Sequence, residues 1–267
     1  MSDTERDMAG AAPKGESLMV RKAIAVLRLF AEDVDSLGLQ EVVQATGFPK
    51  TVCHRLLSTL VSERFLVRSP ETSRYSLGPD LIMFARRGIG RSRLLAAAEP
   101  ALVELARQTG DVAILHVLDH GTALCINRRD GDYPIRTAGV QVGGRLPLHC
   151  GGGPMALLSF APPEVIREVL HRPLEACTPR TVTDPAAVMR RIEEVRKRGY
   201  AVGDQDAFEY VVAIGAPIIH DGKLLAALSV GGIKPRYGKK RIAEVVKMTL
   251  AATRDVLERL QGGGPSD

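Results

Sequence analysis

GLQEVVQATGFPKTVCHRLLSTLVSERF, residues 38–65, is the stretch on which the reading of this chain turns. Apolar spacing predicts a helix over 39–46, a break at Gly47, and a second helix over 50–63 that opens beside Pro49, where a missing N–H costs little. Two helices joined by a short glycine-containing turn form a helix-turn-helix. In the second helix Cys53, Leu56, Leu57 and Leu60 share one face. Thr51, Arg55, Ser58 and Ser62, with His54 beside them, share the other. One face packs; the other is open to nucleic acid or to solvent.

The flanking sequence completes the unit. Ile24, Leu27 and Ala31 recur at helical steps over 20–31, with Arg21, Lys22 and Arg28 on the polar side. On the other flank, 65–67, the turn SPETS and 74–77 read as a two-stranded hairpin, which makes the whole a winged helix-turn-helix. Charge agrees: residues 18–91 hold eleven Lys/Arg against seven Asp/Glu, so most of the chain's net charge of +5 lies in this part. A basic patch on a small module is the electrostatic footprint of DNA binding.

Beyond Gly78 and Pro79, residues 79–93 have helical spacing and an arginine-rich end, which suits a linker helix. The character then changes. A helix over 94–109 leads to strands VAILHVL and ALCINR around the turn DHG, and LHCGGGPMALLSF passes from strand through a glycine loop into a helix. Helices are expected over 163–171 and 185–198, the latter opened by Asp184 and closed by Gly199. Strands at 214–219 and 223–230 turn through Asp221-Gly222, and a helix over 239–260 closes the domain.

The fold class is therefore α+β: a winged helix-turn-helix over 18–78, a linker helix over 79–93, and a domain over 94–260 with an antiparallel sheet and flanking helices. Residues 1–17 and 261–267 lack periodicity and are expected to be disordered. At 267 residues, 45% of them hydrophobic, two domains are expected. Cys53, Cys125, Cys150 and Cys177 are scattered without metal-ligand spacing, so free thiols in a reducing cytoplasm, no metal and no cofactor are expected. No apolar run is long enough for a membrane span.

Taken in order, ATGFPKTVCHRLLSTL with YSLGPDL, then RLPLHCGGGPMALL, then VRKRGYAVGDQD with IGAPIIHDGKLLAALSV resemble the IclR family of bacterial regulators, from about residue 18 to 260. The resemblance implies DNA binding, a linker helix that supports assembly as a homodimer or homotetramer, and a GAF-like domain that binds a small, often acidic, metabolite. It implies no catalysis.

For DNA, Thr51, His54, Arg55 and Ser58 are placed to meet base edges, with Arg55 able to fork onto guanine. Where the family usually has a second hydroxyl this chain has Val52, which offers a methyl surface instead. Arg21, Lys22, Lys50, Arg68 and Arg74 are candidates for phosphates. The plainer alternative is a solvated face with Arg55 in an ion pair.

For the effector, the resemblance carries over Gly152 and Gly153 as amide donors, Ser229 as a hydroxyl donor, Ala213 as wall and Leu146 as an apolar neighbour. Glycines before Pro154 suit a carboxylate at a helix N-terminus, or simply a tight turn. Gly203 stands where many members have Asp, with Asp204 displaced by one, and Gly231 where a second Ser is common. Both changes are expected to free volume for a larger or less polar acid. Two other functions are carried alongside: an esterase-like enzyme using His149 and Cys150 in HCGGG, and a protein-interaction adaptor. No GxSxG elbow accompanies the first.

Overall fold

A computed structural model describes residues 17–31, 34–81, 83, 93–134 and 139–262. The chain divides into two compact units, 1–91 and 92–267. In the first, helix α1 (Leu18–Arg28) runs into a 3-10 turn (Leu29–Ala31), and α2 (Leu39–Thr46) and α3 (Lys50–Ser62) precede strands β1 (Leu66–Arg68) and β2 (Tyr75–Leu77). Gly47 ends α2 at φ 67°, and its N–H closes on the Val43 carbonyl. Only glycine takes that conformation at little cost, so it fixes the angle between the two helices.

Val26 and Phe30 from α1, Val42 from α2 and the buried face of α3 meet Leu66 and Tyr75 of the hairpin in one core. Each fully buried leucine there, Leu57 for example, contributes roughly 1.5–3 kcal/mol. β1 and β2 pair antiparallel with Val67 opposite Ser76, and Leu37 bridges Tyr75, which ties the wing to the chain before α2.

The second unit contains α4 (Arg93–Thr109), β3 (Val112–Asp119), β4 (Thr122–Arg129), β5 (Arg145–Pro147), α5 (Gly152–Phe160), α6 (Pro163–His171) and α7 (Pro185–Arg198). β6 (Ala201–Asp204), β7 (Val211–His220), β8 (Lys223–Ile233) and α8 (Lys239–Gly262) complete it. The sheet order is β5-β4-β3-β8-β7-β6, antiparallel throughout. Two tight hairpins make this possible. His120-Gly121 and Asp221-Gly222 both hold positive φ at two successive residues, the twist that suits flanking strands.

Strand alternation then sorts the residues. Ala113, Leu115, Ile214, Leu228 and Val230 pack against α4 and α8, while Ala123, Ala201 and Ala227 pack among α5, α6 and α7. α7 is bounded as its sequence demands: Asp184 accepts the Ala187 N–H at 2.8 Å, and Gly199 stands at φ 79°.

Several expectations need adjustment. β7 begins three residues earlier than 214, β8 continues to Ile233, and β6 is an additional strand. Leu148–Cys150 is a turn rather than strand, because β5 ends at Pro147. α8 continues through Gln261 and Gly262, where a disordered tail was expected. Residues 1–16 and 263–267 lie outside the described residues, as does most of the linker helix, including Arg86, Arg87 and Arg91.

Candidate functional site

Thr51, His54, Arg55 and Ser58 are all exposed on α3, opposite Cys53, Leu56, Leu57 and Leu60, which are buried. Val52 is half-buried and packs in part against the core. Lys50 is exposed in the first turn of α3. Arg21 and Lys22 lie half-buried on α1, with Lys22 Nζ 5.1 Å from the centre of the Phe48 ring. Arg68 is exposed on the wing and donates to Ser73 Oγ at 3.1 Å.

Arg74 differs from the other cations expected to meet phosphate. Its guanidinium donates to Ser36 Oγ and to the Ser36 carbonyl, each at 2.9 Å, and to Glu41 at 2.8 Å. Those bonds fasten β2 to the chain before α2, a structural task beside the expected phosphate contact. The Gly38 N–H, and after it Arg74, hold the Glu41 carboxyl below the usual carboxylate range.

In the second unit, Leu146, Gly152, Gly153, Gly203, Ala213, Ser229 and Gly231 line one cavity, although they come from five separate elements. Asp204 does not line it. Successive strand residues face opposite ways, and Asp204 instead meets Lys234 Nζ at 2.5 Å, which lowers its pKa. The acid that does line the cavity is Asp206. Its Oδ1 accepts the Gly151 N–H at 3.0 Å, and its Oδ2 accepts from Arg191 at 2.8 Å.

The two unusual glycines have opposite consequences. A Cβ on Gly203 would fall 2.6 Å from both Asp206 Oδ1 and Gly151 Cα, so Gly203 permits a close approach and frees no volume, contrary to expectation. At Gly231 the nearest atom to such a Cβ is Val211 Cγ1 at 3.9 Å. That position does open space.

The start of α5 is pressed onto the sheet, since a Cβ on Gly215 would lie 2.4 Å from the Gly152 carbonyl carbon. Gly151 turns into the helix at φ 75°, a strained angle for any other residue. The first-turn N–H groups of Gly152 and Gly153 then have no acceptor within the helix, and Pro154 has none to offer. Gly151 thus meets the demands of a tight turn, while its two neighbours place donors on the cavity wall.

Among the wall residues that sequence reasoning missed, beside Asp206, is His116. His116 projects from β3 on the same side as Val112 and Ile114, and its Nδ1 is 3.5 Å from Ser229 Oγ. It is 2% exposed, and burial pushes its pKa down to about 4, which keeps the ring neutral at pH 7. The available signal was a polar residue two steps from Ile114 with apolar residues on both sides.

His149 and Cys150 do not form a nucleophile and base. His149 Nε2 is 2.9 Å from the Glu175 carbonyl, while Cys150 Sγ is 3.6 Å from Cys177 Sγ. Burial raises the Cys150 thiol far above its ordinary range, which leaves it protonated and inert. No helix among the described residues is long and apolar enough to cross a membrane.

Family models match both units: the IclR helix-turn-helix domain over residues 19–70 and the bacterial transcriptional regulator IclR C-terminal domain over 87–258. The HTH-type transcriptional regulator KipR of Bacillus subtilis (strain 168) is 30% identical over 243 residues, 90% of this chain and 96% of that protein. The transcriptional repressor IclR of Escherichia coli (strain K12) is 27% identical, covering 93% and 92% of the two chains. Among solved structures, an IclR homolog complexed with 4-hydroxybenzoate from Microbacterium hydrocarbonoxydans superposes with a TM-score of 0.83 at 27% identity, covering 91% of this chain and 99% of that one. With an exposed helix face in one unit, a glycine-lined cavity in the other and both family domains matched in order, the chain belongs to the IclR family and is a DNA-binding transcriptional regulator, not an enzyme.

Proposed function

We propose that this regulator controls a metabolic operon in the cytoplasm, assembled as a homodimer or homotetramer, with its DNA affinity set by a small organic acid held in the cavity. Residues 18–78 read the operator, 79–93 link, and 94–260 sense. Thr51, His54, Arg55 and Ser58 meet base edges, and Lys50, Arg21, Lys22 and Arg68 position the phosphate backbone.

The cavity carries the sensing half of the proposal. Unpaired amides at a helix N-terminus, the Ser229 hydroxyl and the His116 imidazole supply polar contacts, while Ile114, Val140, Leu146 and Phe208 supply an apolar wall. That combination favours an acid with an apolar or aromatic body, and the 4-hydroxybenzoate held by the similar Microbacterium protein supports the class. Gly231 adds room for such a body.

The test is a mobility-shift titration of the full chain on a duplex from its own promoter region, across a salt series and against a panel of aliphatic and aromatic acids. Affinity should fall steeply with salt and change with an aromatic or branched acid. A response confined to acids the size of glyoxylate would overturn the proposed effector class. A salt-independent interaction would overturn the DNA-reading assignment.

A further inference from the structure

His116 Nε2 is a buried side-chain polar atom without a hydrogen-bond partner among the described residues. Leaving such a group unpaired costs roughly 1–3 kcal/mol, and folded proteins seldom keep one without a use for it. Its position is specific. The ring lines the cavity, its Nδ1 is 3.5 Å from Ser229 Oγ, and a Cβ built on Gly153 would lie 2.6 Å from Nδ1. The Nδ1–Cε1 edge of the imidazole therefore stands against the first turn of α5, whose opening amides have no acceptor in the helix.

Because the ring is neutral, only one nitrogen carries a hydrogen. A Ser229 hydroxyl that donates to Nδ1 makes Nε2–H the donor. Asp206 shares the cavity, but its oxygens are taken by the Gly151 N–H and by Arg191, so it offers little to a ligand. Donors and apolar wall then dominate the lining.

We infer that His116 makes this cavity select a carboxylate: its Nε2–H donates to one oxygen of a bound monocarboxylate whose other oxygen faces the Gly152 and Gly153 amides. The inference rests on reading the cavity as the effector site. Hydrogen bonds to an ionised acceptor are about twice as strong as neutral ones, so an acid gains over an uncharged isostere.

Calorimetry on the full chain at pH 7 tests this with benzoate, benzamide and glyoxylate as probes. The wild type should prefer benzoate to benzamide by about tenfold or more. His116→Phe, which keeps a planar ring but no donor, should erase most of that preference, and His116→Gln should restore part of it. A merely structural role would weaken both probes alike and leave their ratio intact, which would overturn the inference. Should His116→Phe fail to fold, His116→Leu decides. Loss of the ring donor should lower the acid-to-amide ratio severalfold, and an unchanged ratio overturns the inference. Equal binding of benzoate and benzamide by the wild type would sink the role of His116 alone. Failure of the wild type to bind any carboxylate would remove the effector-site reading as well.

Discussion

The exposed face of α3 and the cavity of the second unit both present a few polar groups on an apolar support, yet they are assembled in contrasting ways. The first comes from one helix of 13 residues, where a 3.6-residue period alone decides what faces out. The second draws on β3, β5, α5, β6, β7 and β8, and one of its polar pairs, His116 and Ser229, is separated by 113 positions in sequence. A helix face is therefore a local property that tolerates side-chain change. A cavity between elements depends on how closely their backbones approach.

The strongest way to break that contrast is Gly215→Ala. Its Cβ would meet the Gly152 backbone, which cannot swing aside, so a loss of roughly 3 kcal/mol or more is expected in denaturant unfolding of the second unit. Acid should expose the cavity next. The unfolded His116 has a pKa of about 6.5 and the folded one about 4. Between those values the unfolded chain binds a proton that the folded chain refuses, so stability falls as pH drops through that window. His116→Gln should flatten the difference, by roughly 2–3 kcal/mol at pH 4 relative to pH 7, in melts compared with the wild type.

On the helix face, Arg55→Ala should leave the fold intact but weaken operator binding by roughly 1–3 kcal/mol and relax preference at one base pair. Unchanged affinity in a gel-shift titration would remove Arg55 from the reading set. Arg74→Ala should act the other way, costing about 1 kcal/mol of stability in the first unit through its lost bonds to Ser36. An effect on DNA affinity without one on stability would return it to the phosphate contacts. The smallest stability effect is expected at Gly231→Ala, below about 0.5 kcal/mol, with ligand preference shifted toward smaller acids in the calorimetric panel.

The same contrast explains what could be read in advance. The facing of α3, the glycine at φ 67° between α2 and α3, the caps of α7 and the Asp221-Gly222 turn each follow from a few neighbouring residues. Family resemblance led to seven residues that line the cavity, but the orientation of Asp204 and the crowding at Gly203 depend on which strand lies beside which. β6 has only four residues, too few for periodicity to announce it. Arg74 looked like its basic neighbours because nothing local shows that Ser36, 38 positions earlier, comes within reach.

Two sides of the cavity also differ in how they can change over generations. Where Gly152 meets Gly215 backbone lies on backbone, and any added carbon disrupts the sheet. Beside Gly231 the wall can take one added carbon without disturbing a neighbour. A lineage carrying this scaffold can therefore vary the cavity through a single substitution on one side, while the backbone contact on the other keeps its shape.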